Sequence, residues 1–254
     1  MNLKLVFCLL GIAALASSCS DHVYAPALHR SDIAYLPKPV SADTSKSATY
    51  ITAGITYDTN INPADNLTSG QFNLSHANTF DHVNLAYGAF GVLGSYHNGE
   101  LQPSDPYYFR DKFFGAGGLR LSGDYFIKGR NVDFRIIGFE AVYSHEFGDY
   151  ARFRKTVTNQ PNFFTDTRTD LFTLGGTTEV IFHAGYNAEK KFGFRVFAGG
   201  TFGPDNIYRN NNSNYTYSSL NHGIVTVAYF MQIKRYVLIA EGGYYFQFRL
   251  GYQF

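Results

Sequence analysis

From Tyr236 to Phe254 every second residue is apolar or aromatic, apart from Gly242: Tyr236, Leu238, Ala240, Tyr244, Phe246, Phe248, Leu250, Tyr252 and Phe254. The residues between them, from Glu241 on, are Glu241, Gly243, Tyr245, Gln247, Arg249, Gly251 and Gln253. A strand sends successive side chains to opposite faces, so this stretch has one greasy face and one polar face. In a soluble sandwich the greasy face points into a core. In a transmembrane barrel it points out to lipid and the polar face lines the lumen.

The same alternation recurs upstream. In 174–186, Leu174, Val180, Phe182, Ala184 and Tyr186 oppose Thr177, Glu179, Ile181 and His183. In 135–145, Ile137, Phe139, Ala141 and Tyr143 oppose Gly138, Glu140, Val142 and Ser144, and in 224–233 Val225, Val227, Tyr229, Met231 and Ile233 oppose Thr226, Ala228 and Gln232. No helical period competes with it after residue 47, and no apolar run reaches the ~18 residues of a membrane-spanning helix. The resulting strand map is 48–58, 70–79, 83–96, 112–126, 131–147, 170–186, 192–203, 222–233, 236–242 and 244–254.

Loop lengths agree with a barrel. Starting upward at residue 48, the outer connections are 59–69, 97–111, 148–169 and 204–221, and the inner ones are 80–82, 127–130, 187–191 and 234–235. Long and short alternate, as in barrels with long outer loops and short periplasmic turns. Strand parity is the test of this map. Tyr236–Phe254 keeps one phase throughout, and as a single strand it would leave nine strands and put the C-terminus outside. Breaking it at Gly242–Gly243 gives ten. The expectation is therefore an all-β, antiparallel up-and-down transmembrane β-barrel of ten strands over 48–254, with eight and twelve as the alternatives.

Composition narrows the function classes. Hydrophobic residues make up 45% of the chain, aromatics 17% and charged residues 16%, with 25 Gly and no Trp. Low charge argues against a disordered chain or a coiled coil. Removing residues 1–18, which hold Lys4 and no acid, leaves 20 basic and 20 acidic side chains out of 21 and 20. That balance has no footprint for a phosphate backbone, so nucleic acid is not an expected partner.

The first residues are a targeting segment. Lys4 supplies a positive region, and Leu5 to Leu15 form an apolar stretch too short to span a bilayer. Leu15-Ala16-Ser17-Ser18 then precede Cys19, which resembles a bacterial lipobox. That resemblance implies a lipoprotein signal peptide over 1–18, with Cys19 as the lipidated first residue of the mature chain. An ordinary cleavable signal with an incidental cysteine is the alternative. Under the lipobox reading Cys8 leaves with the signal peptide, and no free thiol remains for a disulfide, a thiolate metal site or nucleophilic catalysis. Residues 20–47 lack periodicity and carry Pro26, Pro37 and Pro39, so 19–47 reads as a lipidated tether.

The chain also closes on Phe248-Arg249-Leu250-Gly251-Tyr252-Gln253-Phe254, whose Phe248, Leu250, Tyr252 and Phe254 resemble the terminal aromatic signal of outer-membrane barrels. Together with residues 15–19, and with Tyr24 and Pro26 shortly after Cys19, the chain resembles small, porin-like outer-membrane β-barrel lipoproteins of the Bacteroidota. The resemblance covers the whole chain in pattern and carries no catalytic motif. It implies residence in the cell outer membrane, lipid-anchored with the barrel spanning it. The implied partners are outer-membrane lipids, the barrel-assembly machinery and the lipoprotein export pathway, and no cofactor is implied.

Candidate chemistry is sparse. Arg120, Asp124, Glu140, Glu179, His183, Glu241 and Arg249 fall on inner faces, where they form either a lumen-filling network or the lining of a conducting path. Glu179 and His183 share a face but stand about 13 Å apart along an extended strand, too far for direct pairing. Ser144-His145-Glu146 invites a hydrolase reading, yet neighbours on a strand point to opposite faces, so Ser144 and His145 cannot form a nucleophile–base pair. Gly115-Ala116-Gly117-Gly118 lacks the strand-to-helix setting of a phosphate loop. The remaining histidines show no metal-ligand spacing. Loop 148–169 gathers Tyr150, Arg152, Phe153, Arg154, Lys155, Phe163, Phe164 and Arg168. It reads either as a surface for a glycolipid or protein partner, or as a hairpin continuing above the membrane.

The expectation is a non-enzymatic envelope component, structural or interacting through its loops. A narrow channel for ions or small solutes is the alternative. A lipid-modifying barrel enzyme and a tethered periplasmic β-sandwich stand behind it. Whether the tether plugs the barrel is open at this point.

Overall fold

A computed structural model describes residues 22–59, 64–184, 189–203 and 223–254. Residues 1–18, read above as a signal peptide, and Cys19 lie outside the described residues, as does Tyr186.

Ten antiparallel strands close into a barrel. In chain order they are β2 (Ser47–Asp58), β3 (Asn66–Thr79), β4 (Val83–His97), β5 (Asp111–Lys128), β6 (Val132–Phe147), β8 (Asp170–Ala184), β9 (Lys190–Phe202), β10 (Gly223–Ile233), β11 (Tyr236–Gly242) and β12 (Tyr245–Gln253). Each pairs with its neighbour in sequence, and β12 pairs with β2 to seal the wall. Closure leaves no edge strand and satisfies the backbone without water, which lipid demands. The break at Gly242–Gly243 is where the sequence placed it. Two residues turn the chain there, and Tyr236 faces Tyr252 while Gly242 faces Phe246. An even register keeps the same phase in both strands, which is why β11 and β12 read as one.

The two faces separate as the alternation requires. Outward residues include Ile55, Leu93, Leu119, Ile137, Val225 and Leu250, each more than half exposed. Inward residues are buried and mix polar or charged side chains, such as Arg120, Glu140 and Arg195, with apolar ones, such as Phe90, Phe197 and Phe230. The outward aromatics gather toward the strand ends: Tyr57, Phe113, Phe147, Phe172 and Phe202 at one end, and Tyr125, Phe134, Phe182, Phe192 and Tyr236 at the other. These are the two interface girdles of a lipid-facing barrel. Phe248, Leu250, Tyr252 and Phe254 lie on this outward face as well.

One irregularity redirects a functional side chain. Tyr125 pairs with Ile137 and Phe126 with Arg135, so Ile136 is an extra residue in β6. A bulge of this kind flips the phase of the strand beyond it. Ile136 and Ile137 both face out, whereas Asp133 and Arg135 turn into the lumen. Close approach also asks for glycine. Gly54 stands opposite Arg249, and a Cβ there would come within 2.6 Å of the arginine Cγ.

Connections 80–82, 129–131 and 234–235 lie at one end, called here the turn end; 98–110 and 148–169 lie at the other, the loop end. Connection 148–169 is not an extended hairpin. It forms helix α1 (Asp149–Val157) and strand β7 (Phe163–Thr165), which pairs in parallel with β1 (His22–Tyr24). Helix α1 buries Tyr150, Phe153, Arg154 and Val157, spaced i, i+3, i+4, i+7. The absence of any helical period expected above is corrected here: among the described residues one short amphipathic helix exists, and it caps the loop end of β5 and β6.

Candidate functional site

The candidate site is the lumen, and its occupant is the chain's own residues 22–46. The stretch read as a tether is, from His22 on, buried almost throughout as far as Val40, and it threads the barrel from one end to the other. At the loop end the His22 amide donates to the Asn162 carbonyl at 2.7 Å, and at the turn end the Thr79 amide donates to the Lys46 carbonyl at 2.7 Å. Between β1 and β2 this plug belongs to no strand ladder, so its own turns (His29 to Pro26, Ser31 to Leu28, Asp43 to Val40) and the wall's side chains share the work of satisfying its backbone. Pro26, Pro37 and Pro39 contribute no N–H, which shortens that list of donors.

Near the loop end the plug is held by rings and neutral hydrogen bonds. Tyr24 packs edge-on against Phe153 with centroids 5.3 Å apart, and Tyr96 stacks on Tyr150 at 4.1 Å. Asn98 donates to the Tyr24 hydroxyl at 2.7 Å, and the Tyr150 hydroxyl donates to the Ala25 carbonyl at 2.9 Å. One ion pair sits among them: Arg154 of α1 reaches Glu146 of β6 at 2.7 Å, and Glu146 also accepts the Ala27 amide at 2.8 Å. Burial would draw the Arg154 guanidinium down, and Glu146 beside it more than offsets that, so its pKa is raised. In the adjoining connection burial pushes the Asp65 carboxyl above the ordinary range, while hydrogen bonds from Tyr96 and the Gly99 amide hold it back.

Below this the contacts become ionic. Asp32 accepts from Thr173 at 2.9 Å, and Arg120 donates to the Asp32 carbonyl at 3.0 and 2.6 Å while its guanidinium lies 3.7 Å from the centre of the Phe90 ring. Arg195 bridges Glu140 at 3.0 Å and Glu241 at 2.8 Å. Arg249 reaches the second Glu241 oxygen at 3.3 Å and the Tyr35 carbonyl at 3.0 Å, and the Tyr35 amide donates to Glu241 at 3.1 Å. Glu179 takes Arg135 at 2.7 Å and the Tyr35 hydroxyl at 2.7 Å. Asp124 takes Lys38 at 2.5 Å, Asn84 at 2.8 Å and Arg135 at 3.2 Å. At the turn end Asp133 accepts the Ser41 amide at 2.5 Å and lies 3.7 Å from His183, and Lys191 meets Asp43 at 2.5 Å.

All seven lumen residues named from sequence, Arg120, Asp124, Glu140, Glu179, His183, Glu241 and Arg249, therefore face inward and are buried. Glu179 and His183 do not meet, and each has a different partner. Sequence reasoning missed Arg135, Arg195, Glu146 and the plug's own Asp32, Lys38 and Asp43. Arg195 was legible, since Lys191, Gly193 and Arg195 alternate with Phe192, Phe194 and Val196. Arg135 was hidden by the bulge.

The hydrolase residues stay apart. The Ser144 hydroxyl points inward, 3.5 Å from Asp32, while His145 points outward and lies 2.9 Å from Asp170. Among the described residues no three His, Cys, Asp or Glu side chains are grouped to hold a metal. Of the aromatic and basic residues in 148–169, Tyr150, Phe153 and Arg154 are consumed inside the cap. Arg152, Lys155 and Arg168 are exposed, with Arg152 paired to Asp149 and Arg168 donating to the Gly203 carbonyl.

Fold and site together define a class: a closed, lipid-facing β-barrel whose lumen is filled by its own N-terminal segment. No protein family matches the chain, and no curated protein is similar to it. Among solved structures it is similar to the transport unit of the autotransporter AIDA-I from Escherichia coli, at 9% identity, covering 88% of this chain and 94% of that one, with a TM-score of 0.43.

Proposed function

We propose that the protein is a non-enzymatic, lipid-anchored barrel of the outer membrane that serves the envelope as a structural or interaction component. The observation that supports this is the filled lumen. Buried charges without partners cost several kcal/mol each, roughly; here Lys38 and Asp43 of the plug pair with Asp124 and Lys191 of the wall, while Arg135, Arg195 and Arg249 are met by Glu179, Glu140 and Glu241 of the wall itself. A path for solute would have to break that network. Exchange with the surroundings is left to the loop end, where Arg152, Lys155 and Arg168 are exposed.

The test is conductance of the full-length protein in a planar bilayer. Silence is expected. A stable conductance step would sink the closed reading in favour of the narrow channel. That second reading has one observation in its favour: between β1 and β2 the plug joins no strand ladder of the wall, so its release would break side-chain contacts and the backbone bond from Thr79 to Lys46 while leaving the barrel's own ladders intact. Deletion of residues 22–46 should accordingly convert a silent barrel into a conducting one.

A further inference from the structure

The direction in which the plug runs decides where the chain before it lies. β1 sits at the loop end, paired with β7, and the His22 imidazole is 3.1 Å from Glu100 in a second loop-end connection. The path then descends. Down β6 alone, the Ala27 amide meets Glu146, the Pro39 carbonyl meets Arg135 and the Ser41 amide meets Asp133, in order from loop end to turn end. Lys46 leaves beside Thr79 at the turn end.

Long loops face the exterior in barrels of this kind, and turns face the periplasm. We propose that the segment preceding His22 is displayed on the outer face of the membrane, so that a lipid on Cys19 enters the outer leaflet. The lipid half of this rests on the reading of Cys19 as acylated; the display half does not. Only Ser20 and Asp21 lie between Cys19 and His22, three residue steps with a reach of about 10 Å. The apolar band of a barrel is about 25 Å tall. A lipid on Cys19 cannot cross that distance to the periplasmic leaflet while His22–Tyr24 is docked on β7. Residues 22–46 are then a threaded stem that crosses the membrane inside the barrel, not a tether hanging in the periplasm.

Single cysteines test this in the full chain on intact cells, read with a membrane-impermeant maleimide. Asp21→Cys should label without permeabilisation, and Ser45→Cys, exposed at the turn end, only after it. An epitope inserted between Ser20 and Asp21 provides a second readout if the thiol at 21 is shielded. Label and epitope that both require permeabilisation overturn the proposal. The parent chain separates the two halves. Parent labelling on intact cells means that Cys19 is an unacylated thiol on the outside: the lipid reading fails and the display stands. No parent labelling, with incorporation of an alkyne fatty acid that is lost in Cys19→Ser, supports both.

Discussion

The two halves of the plug are held by different physics. From Tyr24 to Ile33 it lies among Tyr96, Phe109, Phe114, Tyr150 and Phe153, in one apolar cluster under helix α1. From Tyr35 to Asp43 it lies in a second apolar cluster with Tyr50, Ile181 and Phe230, the Tyr35 ring stacked on Phe230 at 4.8 Å, but here charged groups also grip it: Glu179, Glu241 and Arg249 hold Tyr35, Asp124 holds Lys38 and Lys191 holds Asp43. Apolar packing is non-directional and yields gradually when atoms are removed. A buried ionic network is directional and fails abruptly when one member is lost, because the remaining charge is left without a partner. Both halves pack apolar side chains against the wall, and the lower half adds the directional contacts that fix the plug's register.

The largest effect is expected from Arg195→Met, which strips Glu140 and Glu241 of the cation they share. Arg249 still touches Glu241, but nothing replaces the contact at Glu140. The loss should be about 3–5 kcal/mol. It is read as a fall in the temperature at which the compact band of the unboiled protein converts to the slow band on a mild-detergent gel. An unchanged conversion temperature would remove the ionic half's claim to rigidity.

Leu28→Ala probes the other half. Leu28 is buried in the aromatic cluster, and truncation there should cost about 2 kcal/mol, the low end for such changes, since the surrounding rings can close in. The contrast lies in the form of the response. Arg195→Met should also admit intermittent conductance in a bilayer, whereas Leu28→Ala should lower the conversion temperature and leave the barrel silent. Equal leakage from both would erase the distinction between the halves.

The strands were legible because period-two alternation is imposed by the environment on both sides of the wall at once. Glu241 and Arg249 could be assigned to the lumen from Leu250 and Phe246 beside them. The plug was not legible for the opposite reason. Residues 25–40 are enclosed by the wall and belong to no ladder, so no period marks them, and Pro26, Pro37 and Pro39 look the same in a buried chain as in a solvated one. The signal that was present was chemical: Tyr24, Tyr35, Asp32 and Lys38 in one short stretch, facing a barrel whose inner wall carries charges of both signs. Arg135 escaped because Ile136 inserts one residue and reverses the strand's phase. Helix α1 escaped because nine residues are few for a periodic signal, although Tyr150, Phe153, Arg154 and Val157 carry it.

Within the ionic half the smallest effect is expected at Lys38, and it shows how the network is divided between wall and plug. Lys38 is the plug's own cation, 2.5 Å from Asp124, and both are buried. Lys38→Met keeps the length of the stem and removes the charge. Asp124 would still hold Asn84 at 2.8 Å and Arg135 at 3.2 Å, both from the wall. The carboxylate is therefore not orphaned, and the cost should be about 1.5 kcal/mol, that of one charge-assisted hydrogen bond. Asn84→Leu combined with Lys38→Met should exceed the sum of the single changes, because Asp124 is then left with Arg135 alone, itself engaged by Glu179. A double-mutant cycle on the conversion temperature measures that excess. Strict additivity would mean that Arg135 neutralises Asp124 unaided, and the plug would then contribute shape to this half of the lumen and no charge that the wall requires.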